Sequence, residues 1–202
     1  GIAGGGYDRV HSRGPAAAEV LRIWPDDSWD LVVGSARLTP DGMKYPTSGM
    51  GPGFDNFLNG YMWYLEVHEG WLYVGTFNGA AFFPFKPHSL QSQASMKSLN
   101  DYIQTTPADS IEEFLHHYGG CGLWRTRDGE RFYPITRNGF ENPFNMGIRR
   151  MVSTPHGLFV GTSNPFGPLV GVQDGGQWSY KENPRGGIEV WTGSRESAAS
   201  EV

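Results

Sequence analysis

The chain has a single cysteine, Cys121, in 202 residues, so no intrachain disulfide can staple it. Charged residues make up only 18%, and the balance is acidic, with a net charge of −5. Nucleic-acid binding needs a basic surface, so this balance argues against such a partner. No apolar run approaches the ~20 residues of a membrane span, and no signal peptide is visible. Gly-x-Ser-x-Gly, a Walker loop and HExxH are all missing, which removes the reaction classes that those motifs mark. No cofactor is expected. The compartment stays open. The first residue is Gly1 rather than Met, which reads as a processed product or a fragment.

What the chain has in quantity is glycine (29), proline (14) and tryptophan (7). Many tight-turn residues among many aromatics suggest short strands, the composition of an all-β fold. The main signal is an internal repeat. Gly53–Asn78, GFDNFLNGYMWYLEVHEGWLYVGTFN, returns 86 residues later as Gly139–Asn164, GFENPFNMGIRRMVSTPHGLFVGTSN. Nine of the 26 paired positions are identical without a gap, where ordinary residue usage gives roughly one or two. A repeat sets the architecture and is read first.

Each copy carries two apolar runs around a turn: Met62–Val67 and Trp71–Thr76, then Ile148–Ser153 and Leu158–Thr162. Hairpin signals flank them at Val20–Val33, around Pro25-Asp26-Asp27-Ser28, and at Gly122–Thr136, around Asp128-Gly129. The unit therefore reads as four antiparallel strands, a to d, with a long connection between b and c. That is the blade of a β-propeller. The strands are apolar on both faces, which fits sheets packed between neighbours. The expected fold is all-β: four-stranded blades, an incomplete ring of roughly 2.5 blades, and a short helical insertion. Residues 1–17 read as a flexible arm, 18–193 as the partial propeller with the insertion at about 88–118, and 194–202 as a disordered tail. Unpaired edges would be left open, so the chain is expected to need another chain, or copies of itself, to complete the ring.

Within the insertion, Thr106 reads as an N-cap, and Ile111, Phe114, Leu115 and Tyr118 follow helical spacing up to Gly119. A weaker helix is suggested over Leu90–Ile103. For the last strand c, GGIEVW (186–191) parallels GGCGLW (119–124). This makes 165–186 a second insertion. The alternative places an Asp turn at Asp174. The run Thr126-Arg127-Asp128-Gly129-Glu130-Arg131-Phe132 resembles a shortened Asp box, the turn between the outer strands of some propeller blades; Asp27-Ser28-Trp29 is a looser match. The resemblance implies a fold and a structural turn, not an activity.

In such a fold the d–a and b–c connections share one face. Here they are Thr47–Tyr61, Asn138–Gly147, the insertion, and Asn164–Gly186. Candidates on that face are Asn56, Asn59, Tyr61, Trp63 and Tyr64, then Asn142, Asn145, Arg149 and Arg150, with Arg185 from the last loop. The asparagines occur in both copies, which favours structural Asx turns. Trp63-Tyr64 in the first copy, aligned with Arg149-Arg150 in the second, is the sharpest difference between copies. Arginines there could pair between blades or receive an anion. The ligand-binding set is thus Trp63, Tyr64, Arg149, Arg150, Asn59 and Asn145. No catalytic residue is assigned. No metal ligand is assigned either, because adjacent His116 and His117 point about 100° apart on a helix. The preferred reading is a ligand- or protein-binding platform within a larger propeller assembly. The alternative is a hydrolase or lyase acting on a carbohydrate or an anionic small molecule across the loop face.

Overall fold

Alternation along Trp71–Asn78 decides how the sheets stack. Side chains of a strand point alternately to opposite faces. Tyr73 joins a cluster with Cys121, Leu123, Ile148, Met151, Leu158 and Val160, and Trp71 packs against it. Its neighbour Val74 joins Val32, Val33, Phe54 and Trp124, with Leu72 packed alongside. The strand therefore has no wet face: apolar clusters lie on both sides of it.

The computed structural model describes residues 17–82, 85–86, 108–174 and 177–193. The fold is mostly β, with a curled antiparallel half-barrel sheet and small hairpins. A hairpin pairs β1 (Val20–Ile23) with β2 (Trp29–Val33). A smaller one, absent from the sequence reading, pairs β3 (Arg37–Thr39) with β4 (Gly42–Lys44). After the short helical turn α1 (Pro52–Asp55) come β5 (Asn59–His68) and β6 (Trp71–Asn78). A 3-10 turn (Ala80–Phe82), β7 (Phe85–Lys86) and α2 (Ala108–Tyr118) follow. Then come β8 (Leu123–Thr126), β9 (Tyr133–Thr136), β10 (Gly147–Thr154), β11 (Gly157–Ser163), β12 (Leu169–Asp174), β13 (Gln177–Glu182) and β14 (Val190–Gly193).

The pairing falls into two antiparallel runs, β5-β6-β8-β9 and β10-β11-β14. They meet through one bridge, Gly147 to Phe77, between β10 and β6. β14 lies beside β11 as β8 lies beside β6: Val160 faces Trp191, and Val74 faces Trp124. Residues 169–182 form their own hairpin, β12-β13, which also pairs with β7. The segment from Gly187 to Trp191, not the Asp174 turn, thus carries the outer strand of the second run. The expected helix is present as α2, and Leu115 buries against Leu58 and Ala80. Thr106, the Leu90–Ile103 stretch, residues 1–16 of the expected arm and the 194–202 tail lie outside the described residues.

The turn at Asp128 is closed by its own carboxylate. Asp128 Oδ1 accepts the Glu130 amide at 2.9 Å, the Arg131 amide at 2.8 Å and the Thr126 hydroxyl at 3.1 Å. These donors, the Arg131 and Glu130 amides above all, hold its pKa down at about 2. In the first hairpin the same work falls to Asp26, which accepts the Ser28 amide and hydroxyl, while Asp27 takes the positive φ. The looser match written on Asp27 is displaced by one residue. Arg22 ties the two turns together, bonding Asp30 at 2.8 Å and the Asp128 carbonyl at 3.1 Å.

Gly75 marks the tightest approach between β6 and β10. A methyl group there would run into Ile148 Cβ and its branches, which the packing holds in place. The equivalent Gly161 has only the Arg150 carbonyl nearby, at 3.7 Å. Overpacking costs about 1–3 kcal/mol. We expect Gly75→Ala to lose stability of that order and Gly161→Ala to be nearly neutral, as read by chemical denaturation. Equal effects would show that the close approach is not what keeps Gly75.

Candidate functional site

Two sets of residues from the repeat come together in different places. The first is a seam between β5 and β10. The Arg149 guanidinium lies 5.1 Å from the Trp63 ring centre, and that of Arg150 lies 5.3 Å from Tyr64. The residues that differ between copies therefore meet as two cation–π pairs. Gly147 leaves the room for the Trp63 ring, which a Cβ there would strike. Both arginines are exposed, and both aromatics are half-buried. The guanidinium groups rest on aromatic faces here, in place of the expected blade-to-blade ion pairs. The seam offers two positive charges on flat apolar surfaces, an arrangement suited to an anionic or planar group. Exposed cation–π contacts are worth about 0.5–1 kcal/mol each. Arg149→Ala with Arg150→Ala should therefore leave the fold intact, with a loss of no more than about 2 kcal/mol in a thermal or urea melt. Global unfolding of that variant would show that the pair serves the core.

The second set is the loop ahead of each run, and it is built twice. Gly53, Phe54 and Asp55 all take positive φ, at 66°, 58° and 64°. Gly139, Phe140 and Glu141 repeat this at 66°, 59° and 62°. Left-handed backbone is costly for a bulky residue such as Phe, so something must hold it. Phe54 stacks on Trp124 at 4.7 Å with an interplanar angle of 13°, and Phe140 on Trp191 at 4.5 Å with the same angle. The asparagines fix the rest. Asn59 Nδ2 donates to the Gly53 carbonyl at 2.7 Å, and Asn145 Nδ2 to the Gly139 carbonyl at 2.9 Å. Asn78 and Asn164 each donate to that asparagine's Oδ1. Asn56 Oδ1 accepts the Leu58 amide, and Asn142 Oδ1 the Phe144 amide, both at 3.1 Å. The Asx-turn expectation describes Asn56 and Asn142. Asn59 and Asn145 are buried and bond into the loop, away from the arginines of the seam.

The two loops also grip the strand that precedes them in space. The Gly53 amide donates to the Ala18 carbonyl at 2.7 Å, and the Ala18 amide to the Asn59 carbonyl at 2.9 Å. The Gly139 amide likewise donates to the Cys121 carbonyl at 2.8 Å, and the Cys121 amide to the Asn145 carbonyl at 2.8 Å. Cys121 itself is fully buried, and burial pushes its thiol up to about 12, so it is no nucleophile at neutral pH.

Glu189 was missed by the sequence reading. Its Oε1 accepts Asn142 Nδ2 at 2.9 Å; its Oε2 accepts Asn145 Nδ2 at 2.8 Å and Trp191 Nε1 at 3.0 Å. Arg185, which was a candidate, pairs with it at 2.9 Å. Burial alone would raise the Glu189 pKa. The donors from Asn142, Asn145 and Trp191, with the Arg185 charge, overcome that and hold it below 4.5. A depressed folded-state value means that the carboxylate stabilises the fold above the ordinary carboxyl range and stops doing so as pH falls through its folded pKa. Glu189→Gln should therefore be less stable than the parent at neutral pH, with the gap closing below 4.5. Denaturation curves of both proteins across acid pH test this; a gap independent of pH would contradict it.

Between the two runs lies a groove of about 650 Å³. Arg125 and Arg127 each sit 4.5 Å over the Trp71 ring on one wall, and Trp191 and Phe140 lie on the other. Among the described residues, no three metal-ligating side chains converge, and no helix is long and apolar enough to cross a membrane. No family model matches the chain, and no characterised protein or solved structure matches it either.

Proposed function

We propose that the chain is a section of a β-propeller that serves as a binding platform within a larger assembly. On this reading β5-β6-β8-β9 is one full blade, β10-β11-β14 is most of the next, and β1-β2 supplies the outer strands of the one before. The support is the joint described above. Each loop grips the third strand of the preceding blade through the same pair of backbone bonds. A head-to-tail contact used twice in one direction propagates, and it closes into a ring when the rotation allows.

The observation that carries the reading is the open face at the end of the series. Cys121 and Leu123 are 0% and 1% exposed, because the second run covers them. Their counterparts Ile188 and Val190 are 74% and 69% exposed. Phe159, the counterpart of buried Tyr73, is also exposed. The occupant that this face fits is another sheet of the same kind, from a further chain or a second copy. Apolar faces of this type mark interaction sites. The groove beside Trp191 has the same origin, since no fourth strand lies beside β14 among the described residues. The working surface is then the arginine–aromatic seam. Its groups bind and orient, and they are not an acid–base pair, so binding is preferred over the hydrolase or lyase alternative.

The test is assembly state. The chain should sediment as more than a monomer or co-purify with a partner, and Ile188→Asp with Val190→Asp should return it to a folded monomer. A parent chain that is a stable monomer, unchanged by that pair of substitutions, would refute the reading.

A further inference from the structure

The two copies differ at one position that leaves a hole. Glu189 stands two residues before Trp191, and Gly122 stands at the same place before Trp124. The matching position on the first strand is Glu19, next to Ala18. Two of three equivalent sites thus carry a carboxylate, and one carries nothing.

Where Gly122 sits, the structure has a cavity of about 150 Å³. The donors that hold Glu189 are all present around it. Trp124 is 2% exposed, yet its Nε1 has no hydrogen-bond partner. A buried N–H without an acceptor has given up its water partner for nothing, so it requires an explanation. Asn56 Nδ2 donates to the Tyr118 carbonyl at 3.2 Å, as Asn142 does to the Arg185 carbonyl at 3.1 Å. Asn142 and Asn145 use their second amide hydrogens on Glu189. Asn56 and Asn59 have the same second hydrogens, and both line the cavity. Charge is supplied as well. Arg137 lies 4.9 Å over the Trp124 ring and lines the cavity with His117, in the role that Arg185 plays for Glu189. Asp55 also borders the space, with its Oδ1 taken by the Gly51 amide at 2.7 Å.

We propose that this cavity is a binding site for the carboxylate group of a ligand, seated where Glu189 places its own in the second copy. One oxygen would take the Asn56 amide, and the other the Asn59 amide and the Trp124 indole. Arg137 would balance the charge. The ligand is a small organic acid or an Asp or Glu side chain of a peptide; the recognised group is the same. The inference stands whether or not a ring closes, since every group belongs to this chain: the loop leading into β5, β8, the end of α2 and the residue that follows β9.

The Trp124 indole N–H reports directly by proton–nitrogen NMR, assigned with Trp124→Phe. Acetate is the probe, acetamide the neutral isostere, and chloride the ionic-strength control. We expect a saturable downfield shift with acetate, with a Kd on the order of 1–10 mM, and no response to acetamide or chloride. Arg137→Gln should weaken acetate binding about tenfold. N-acetyl-glutamate methylamide, compared with its glutamine analogue, separates the two sources: tighter binding than acetate points to a peptide side chain, and weaker binding to a free acid. The converse variant supplies a second arm. Glu189→Gly should open the matching cavity, lower the melting temperature, and make both the melt and the Trp191 indole respond to acetate but not acetamide. A Trp124 resonance that acetate does not move, or that acetamide moves equally, overturns the assignment. So does a Glu189→Gly protein that acetate fails to rescue.

Discussion

The backbone exchange between a left-handed loop and the strand beside it holds the molecule together. The Gly53 amide and the Asn59 carbonyl clamp Ala18; the Gly139 amide and the Asn145 carbonyl clamp Cys121. These bonds require three consecutive residues at positive φ, an arrangement that costs on the order of 1–3 kcal/mol per strained residue. Phe54 on Trp124 and Phe140 on Trp191 offset that cost through stacking and burial. The asparagine amides satisfy the loop carbonyls that no strand can reach.

Much of this was legible in the sequence because a repeat constrains two places at once. The strands β5, β6, β10 and β11 follow from apolar runs and turn residues. The outer strand at Val190–Gly193 follows from the likeness of GGIEVW to GGCGLW. That Trp63, Tyr64, Arg149 and Arg150 are distinctive follows from the divergence of the copies at these positions; that they touch does not, because only the approach of β5 to β10 brings each guanidinium onto a ring. The β3–β4 hairpin was not legible, because Arg37–Lys44 is too short and too polar to show a period. The left-handed run at Phe54 was hidden as well, since nothing in Gly-Phe-Asp announces that a bulky residue will adopt positive φ.

The carboxylate at Glu189 was missed for a different reason. Gly122 and Glu189 lie outside the ungapped repeat, 67 residues apart rather than 86, so their divergence does not show in the alignment of the two copies. Composition does not single out that glutamate. Its significance comes from donors that converge on it: Asn142 and Asn145 from a loop more than forty residues earlier, and Trp191 and Arg185 from its own segment. Such convergence is a property of the folded loop, and only the copy of the loop that lacks the acid makes it conspicuous.

The cross-pairing of β7 with β12 has a mechanical consequence. These strands belong to the long connections of successive runs, and Gly171 and Val172 pair with Lys86 and Phe85. The two excursions therefore form one crossbeam over the sheets. The Tyr118 carbonyl at the end of α2, in the same long connection as β7, is held by Asn56 and Asn78. Adjacent runs are thus tied through the β7–β12 pairing as well as through the bridge between β6 and β10, which opposes their shearing past one another.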